Sequence, residues 1–318
     1  MNIVVLDGYT LNPGDLNWAD LEELGELTVY DRTPAELVVE RCKEAAIILT
    51  NKTPVTRDMI GQLPQLKFIS VLATGFNIVD VSAAKEKGVV VSNIPGYGTA
   101  SVVQLTFALM LEHFNQVSLH SQAVKEGDWV NSKDFSFTKT PLHELKGKTI
   151  GIIGFGSIGK QVCDVATVFG MHTLAYSRTK TNQSNRINFD WAELETLLAK
   201  SDVITIHCPL TDETRGMINK STIALMKKTA LIINTARGPI INENDLAEAL
   251  NHQIIGGAAL DVLSKEPPEK NNPLLNSKNC IITPHIAWAT VEARSRLMHG
   301  TVLNIKEFLA GKPVNVVN

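Results

Sequence analysis

Short runs of β-branched and other apolar residues alternate with stretches of helical spacing along almost the whole chain. This is the pattern of parallel strands buried on both faces and covered by helices. The runs fall into two series. Residues 3–6, 46–50, 68–72 and 89–92 read as the strands of the first, with 27–30 a further candidate; 149–153, 173–176, 203–207, 230–234, 254–260 and 281–283 read as the strands of the second. Between the series, residues 101–120 are apolar around most of a helical circumference. A helix of that kind either crosses between lobes with a subunit contact or lies in an ordinary core. A second long helix is predicted over 289–310, after the last strand, and its return to the first lobe would make that lobe discontinuous.

Length agrees with two lobes, since 318 residues stand against roughly 150 per domain. Apolar residues make up 44% and charged residues 20%, which favours neither disorder nor a fibrous architecture. Thirty Lys and Arg against 33 Asp and Glu leave a formal charge of −3, so no global footprint for nucleic acid or an anionic membrane is present. No apolar run reaches the ~20 residues of a membrane helix. The opening Met1-Asn2-Ile3-Val4-Val5-Leu6, interrupted by Asp7, lacks the basic start and apolar length of a secretory leader. Cys42, Cys163, Cys208 and Cys280 show no metal-ligand spacing and read as reduced thiols of a cytoplasmic protein. No metal site is expected.

The segment Gly151-Ile152-Ile153-Gly154-Phe155-Gly156-Ser157-Ile158-Gly159 places G-x-G-x-x-G after an apolar strand and before a helical stretch. In that context the motif binds a dinucleotide. Gly154 permits the tight turn, Gly156 lets backbone approach the pyrophosphate, and Gly159 lets the helix sit close to the sheet. Amides of the turn, including those of Phe155, Ser157 and Ile158, meet the phosphate charge. About 20 residues on, an Asp or Glu is expected for NAD, but the strand ends Ser177-Arg178-Thr179. Two hydroxyls around a guanidinium suit a 2′-phosphate. NADP(H) is therefore favoured, with NAD(H) usable if Arg178 stacks on adenine or faces solvent.

Three polar groups stand just past three successive strands of the second series: Arg237, Glu266 and His285. Ligands of open parallel sheets bind outside the carboxyl ends of strands. Hydride transfer to a keto carbon needs a cation to hold the carboxylate and polarise the carbonyl, and an acid for the new oxygen. Arg237 can be the first and His285 the second. Glu266 would bond the other imidazole nitrogen, fixing the tautomer and favouring the charged ring. Asp261 is expected to orient this loop or to face the nicotinamide. Cys208 and Pro209 end another strand near the cofactor and are expected to contact it through backbone. Glu243 and Asp245 read as first-turn acids of a helix.

These residues make the chain resemble the D-isomer-specific 2-hydroxyacid dehydrogenases, and within them the branch acting on hydroxypyruvate and D-glycerate. The resemblance runs over essentially the whole chain. It is carried by residues 6–16, Ala73-Thr74-Gly75-Phe76-Asn77, 150–159, Asn234-Thr235-Ala236-Arg237-Gly238, Asp261 with Glu266-Pro267-Pro268, and Pro284-His285-Ile286-Ala287-Trp288. It implies two Rossmann-like doubly wound domains: a discontinuous substrate-binding domain over 1–100 and 290–318, and a nucleotide-binding domain over 101–289. It also implies a homodimer through the long inter-domain helix, a carboxylate grip by amides around Thr74 and Gly75, Ser101 and Gln104 near the cleft, and Thr235, Ala236, Asp261 and His285 at the cofactor. D-lactate, 3-phosphoglycerate or glyoxylate as substrate, and a dinucleotide-sensing corepressor of the same fold, remain open.

Overall fold

The computed structural model describes residues 1–318. Contacts divide them into two units, residues 1–98 with 288–318, and residues 99–287. The first unit begins β1 (Asn2–Val5), α1 (Ala19–Glu22), β2 (Glu26–Val29), α2 (Val38–Cys42), β3 (Ile47–Thr50), α3 (Arg57–Gly61), β4 (Phe68–Val71), α4 (Val81–Glu86) and β5 (Val90–Ser92). The strands form one parallel sheet in the order β2-β1-β3-β4-β5. β3 and β4 are buried at every residue, as expected where both faces are covered.

The second unit contains α5 (Thr99–Asn115), α6 (Val117–Lys125), β6 (Thr149–Ile153), α7 (Ser157–Val168), β7 (His172–Tyr176), β8 (Phe189–Trp191), α8 (Leu194–Lys200), β9 (Val203–Ile206), α9 (Lys220–Ile223), β10 (Leu231–Asn234), α10 (Glu243–Asn251), β11 (Gly257–Leu260) and β12 (Cys280–Ile282). Its seven strands, all parallel, run β12-β11-β10-β9-β6-β7-β8. Side chains alternate between two cores. Ile204, Ile232 and Ala258 meet Leu197, Leu246 and Leu250 on one face, while Ile152, Val203 and Ile233 meet Phe107, Met110 and Val162 on the other.

The chain then returns to the first unit as α11 (Val291–Leu309). Leu297, Val302 and Ile305 of this helix cover Ile3, Ile47 and Leu49, and Phe308 stacks on Phe68 with ring centroids 4.6 Å apart. The last residues pair with the edge of β5, where Val317 N donates to Val91 O at 2.9 Å. Asn318 Nδ2 donates to Val89 O at 2.7 Å.

Two elements differ from the sequence reading. The helix expected over 101–120 is two helices, because Gln116 takes a left-handed φ of 44° between α5 and α6. β8 was not anticipated. Its three residues follow a polar loop and are ordered by an aromatic cluster, Phe189 and Trp191 each packing within 5.3 Å of Phe155.

Both sheets reverse strand order once, between β1 and β3 in the first and between β6 and β9 in the second. Such switch points are where doubly wound sheets bind ligands. In the first unit that place holds the chain's own carboxylate. Asp7 accepts the amides of Asn51, Lys52 and Thr53 at 2.8, 2.6 and 2.7 Å, a nest of the kind that binds anions. In the second unit the switch point leads to the glycine-rich turn.

Candidate active site

β6 ends in Gly154, whose φ of 95° only glycine adopts readily. Its amide donates to Tyr176 O at 2.8 Å, and a Cβ there would meet Cys208 N at 2.5 Å. The turn is thus pressed between the ends of β7 and β9. A Cβ at Gly159 would fall on the Gly154 carbonyl, so α7 starts against its own turn. Gly156 differs, since nothing lies within 4 Å of the Cβ it lacks. It caps α7, whose first-turn amides have no partners within the helix. Bare backbone, open space and unpaired amides fit a pyrophosphate. The Phe155 side chain faces the aromatic cluster, with the Arg186 guanidinium 5.5 Å from its ring centroid.

At the tip of β7, Ser177 is half-buried, and Arg178 and Thr179 are exposed. The neighbouring cations are engaged, Lys180 with Glu193 and Arg186 with Asp164, whereas the Arg178 guanidinium has no acidic partner. Past β9, burial pushes the Cys208 thiol up to about 11, which makes it a poor nucleophile. The Pro209 carbonyl accepts the Thr214 hydroxyl at 2.8 Å.

Past β10 comes Thr235, buried and 3.5 Å from Thr106 through the hydroxyls, then Ala236 and Arg237. Asn234, 1% exposed, shapes this loop. Its Oδ1 accepts Ala236 N at 3.0 Å and its Nδ2 donates to Arg237 O at 2.9 Å. Sequence reasoning passed over Asn234, although an Asn at a strand end is a turn-forming signal. The exposed Arg237 donates from Nη1 to Ala236 O at 2.7 Å and forms no ion pair. A Cβ on Gly238 would fall on the Leu263 carbonyl, so the loop bearing Arg237 lies directly on the one bearing Glu266. Glu243, read as a first-turn acid of α10, also joins them by accepting Ser264 N at 2.6 Å.

His285, at φ 55°, is the candidate proton-transfer group that the sequence singled out. Its Nδ1 is 2.6 Å from Glu266 Oε2, and Glu266 Oε1 accepts Leu263 N at 3.1 Å. Nε2 is left for an outside partner. The strained backbone is held by Asp261, whose carbonyl accepts His285 N at 2.8 Å. The Asp261 carboxylate, 1% exposed, accepts Thr283 Oγ1 at 2.6 Å and the amides of Ile286 and Ala287, each at 2.8 Å. Burial raises its pKa, against the lowering by these bonds. These bonds tie Asp261 to the His285 loop.

Ser101 stands against the same loop. It is buried, and its hydroxyl donates to Ala287 O at 2.5 Å, tying the start of α5 to the end of the His285 loop. Gln104 is exposed on the α5 face that lines, with Val103 and Phe107, an apolar trough of about 580 Å³ against α7. In the first unit Thr74 Oγ1 donates to Ile94 O at 3.0 Å, and the amides of exposed Thr74 and half-buried Gly75 have no acceptor in the chain.

A family model described as D-isomer specific 2-hydroxyacid dehydrogenase, NAD binding domain, matches residues 107–287. The chain is 53% identical over 321 residues to a hydroxypyruvate reductase of Blautia hydrogenotrophica, with each chain covered in full. It is 41% identical to a glycerate dehydrogenase of Methylorubrum extorquens, covering 90% of this chain and 89% of that one. A solved structure described as an acyclic imino acid reductase in complex with NADPH and D-Arg superposes with a TM-score of 0.87 at 30% identity, each chain being covered in full. The parallel two-sheet architecture, the glycine-rich turn and these relatives together place the chain in the D-isomer-specific 2-hydroxyacid dehydrogenase family.

Proposed function

We propose that the protein reduces hydroxypyruvate to D-glycerate with a nicotinamide dinucleotide, glyoxylate being a second substrate. One observation carries the chemistry: His285 Nδ1 is engaged by Glu266 at 2.6 Å while Nε2 is free, and the loop bearing Glu266 lies on the one that offers an unpaired Arg237. Reduced nicotinamide, when bound, supplies a hydride to the C2 keto carbon. His285 gives the C2 oxygen its proton from Nε2, and Glu266 holds the tautomer and balances the imidazolium. Arg237 draws the carboxylate and polarises the carbonyl. In the oxidative direction His285 is the base. The residues that hold the dinucleotide are the amides of 154–159, the strand ends at Cys208-Pro209 and Thr235-Ala236, and the tip Ser177-Arg178-Thr179. Unpaired Arg178 supports NADP(H) over NAD(H). For Thr74 and Gly75, unbonded amides at a strand end support a role in binding the substrate carboxylate.

Two further readings rest on exposed apolar surface and on thiols. The α5–α7 trough and the exposed Trp129, Val130 and Phe135, of which Phe135 is 91% exposed, support a homodimer. Four free cysteines support a reducing, cytoplasmic setting. No helix is long and apolar enough to cross a membrane.

The test is a steady-state assay with hydroxypyruvate, glyoxylate and pyruvate, run separately with NADPH and NADH. Fast turnover of hydroxypyruvate is expected, faster with NADPH. His285→Ala should abolish most turnover and spare dinucleotide binding, and Arg178→Ala should weaken NADPH more than NADH. Silence with all three acids would overturn the substrate assignment, and equal effects on the two dinucleotides would overturn the Arg178 argument.

A further inference from the structure

The strands that carry the candidate active site at their carboxyl ends begin at a second concavity. Lys148 precedes β6, whose far end is the Gly154 turn; Asp202 precedes β9, which ends towards Cys208. Thr229 lies before β10 and Gly256 before β11, the strands that lead to Arg237 and Asp261. These residues, with His113 and Phe114 from the last turn of α5, His143 and Lys228, enclose about 280 Å³. A strand of four or five residues spans roughly 15 Å, so this cavity cannot share a ligand with the catalytic groups.

Its charge is one-sided. Lys148 and Lys228 line it together with a single carboxylate, Asp202. That carboxylate is already satisfied, its Oδ1 accepting from Lys227 Nζ at 2.8 Å and its Oδ2 from Thr149 N at 2.8 Å. Burial raises the Asp202 pKa, but Lys227 and the Thr149 amide outweigh it and hold the group below its ordinary value. Lys148 and Lys228 form no ion pair, and the Lys148 ammonium stands 5.4 Å over the Phe114 ring. The Thr229 hydroxyl and the His143 ring have no hydrogen-bond partner in the chain. Burial and the neighbouring His143 lower the pKa of His113, so at neutral pH the lysines supply the charge. Space for the His113 ring exists only because residue 257 is glycine; a Cβ there would meet His113 Cε1 at 2.5 Å.

We infer that this cavity is a binding site for a small phosphate-bearing anion, separate from the active site and suited to an effector. Two ammonium groups, a hydroxyl and imidazole nitrogens around one space match a ligand with several acceptor oxygens better than a single carboxylate. The volume lies below the ~300–1,000 Å³ of pockets for drug-sized ligands, which limits the ligand to a small metabolite or to phosphate itself.

The experiment titrates inorganic phosphate, and acetate at matched ionic strength, into the full chain saturated with NADPH, following heat and the histidine ring resonances. Phosphate should bind saturably and move the His113 and His143 signals while leaving His285 in place. Lys148→Met and Lys228→Met should each weaken binding about tenfold or more, the scale of one charge-assisted contact, with phosphate-free turnover unchanged. The inference is overturned if no saturable binding occurs, if His285 responds in place of His113, or if both variants bind as the parent does. Acetate binding as tightly as phosphate would overturn the assignment to phosphate.

Discussion

Replacing Asp261 by Asn removes one charge and leaves the shape. The carboxylate now accepts three hydrogen bonds, two at Oδ1 and one at Oδ2, all from the segment 283–287. If the amide oxygen keeps the place of Oδ1, its NH2 group faces the Ala287 N–H, donor against donor. One charge-assisted bond is lost, about 1.5–3 kcal/mol, and a buried N–H is left unsatisfied, about 1–3 kcal/mol. Relief of a buried charge, whose cost appears as the raised pKa of Asp261, returns part of this. The net loss should be about 3 kcal/mol in the second unit. The rate effect comes through His285. Its ring hangs on a left-handed residue pinned by the Asp261 carbonyl, and a displacement of about 1 Å at a reacting group can cost 10²-fold. Asp261→Asn should therefore lower the urea midpoint and reduce turnover of hydroxypyruvate by about two orders of magnitude, with dinucleotide affinity within a fewfold of the parent. A variant with parental midpoint and parental turnover would refute Asp261 as the residue that positions His285. Loss of dinucleotide binding alone would return it to the cofactor.

Other expectations are independent of that one. Glu266→Gln should reduce turnover about 10²-fold and leave dinucleotide affinity unchanged in a fluorescence titration; parental turnover would detach Glu266 from the mechanism. Gly156→Ala should fold with parental stability and lose dinucleotide binding, because its Cβ enters open space, whereas Gly159→Ala should lose stability, because its Cβ falls on the Gly154 carbonyl. Equal melting temperatures for the two would contradict this. Burial pushes the His207 pKa down from 6.5 to about 3, and its Nδ1 is buried without a partner. A lowered histidine leaves stability unaffected above the unfolded value. As pH falls below that value the unfolded chain takes a proton that the folded one refuses, and stability drops until the folded value is reached. At about pH 5 the loss from this group is at most about 2 kcal/mol, and His207→Gln should flatten the acid limb of the urea midpoint against pH by that amount; parallel curves would show that His207 is not the group responsible.

Features set by neighbours in the chain were legible in the sequence. The strands 68–72 and 149–153 could be read because a strand buried on both faces must be apolar along its length. The Gly154 turn could be read because a left-handed residue and a close helix leave no room for side chains. Arg237, Glu266 and His285 could be proposed as a set because each follows an apolar strand, and parallel strands bring their carboxyl ends to one edge. The Gln116 break escaped this reading because the residues on both sides are helical in pattern, and β8 because three residues owe their extended form to packing on Phe155.

Only the folded chain decided what depends on the register of distant segments. The Ser101 hydroxyl bonds a carbonyl 186 residues away. The pairing of β11 with β12 carries residues 283–287 past the Asp261 carboxylate. The lysine-lined cavity has no local motif at all, since Lys148, Asp202, Lys228 and Gly256 meet only because four strands are laid side by side with their starting ends aligned. Sequence pattern determines which segments become strands and where the tight turns fall, through short-range sterics and burial. Which side chains then share a hydrogen bond or a cavity is decided by strand order and register, which no stretch of the chain contains.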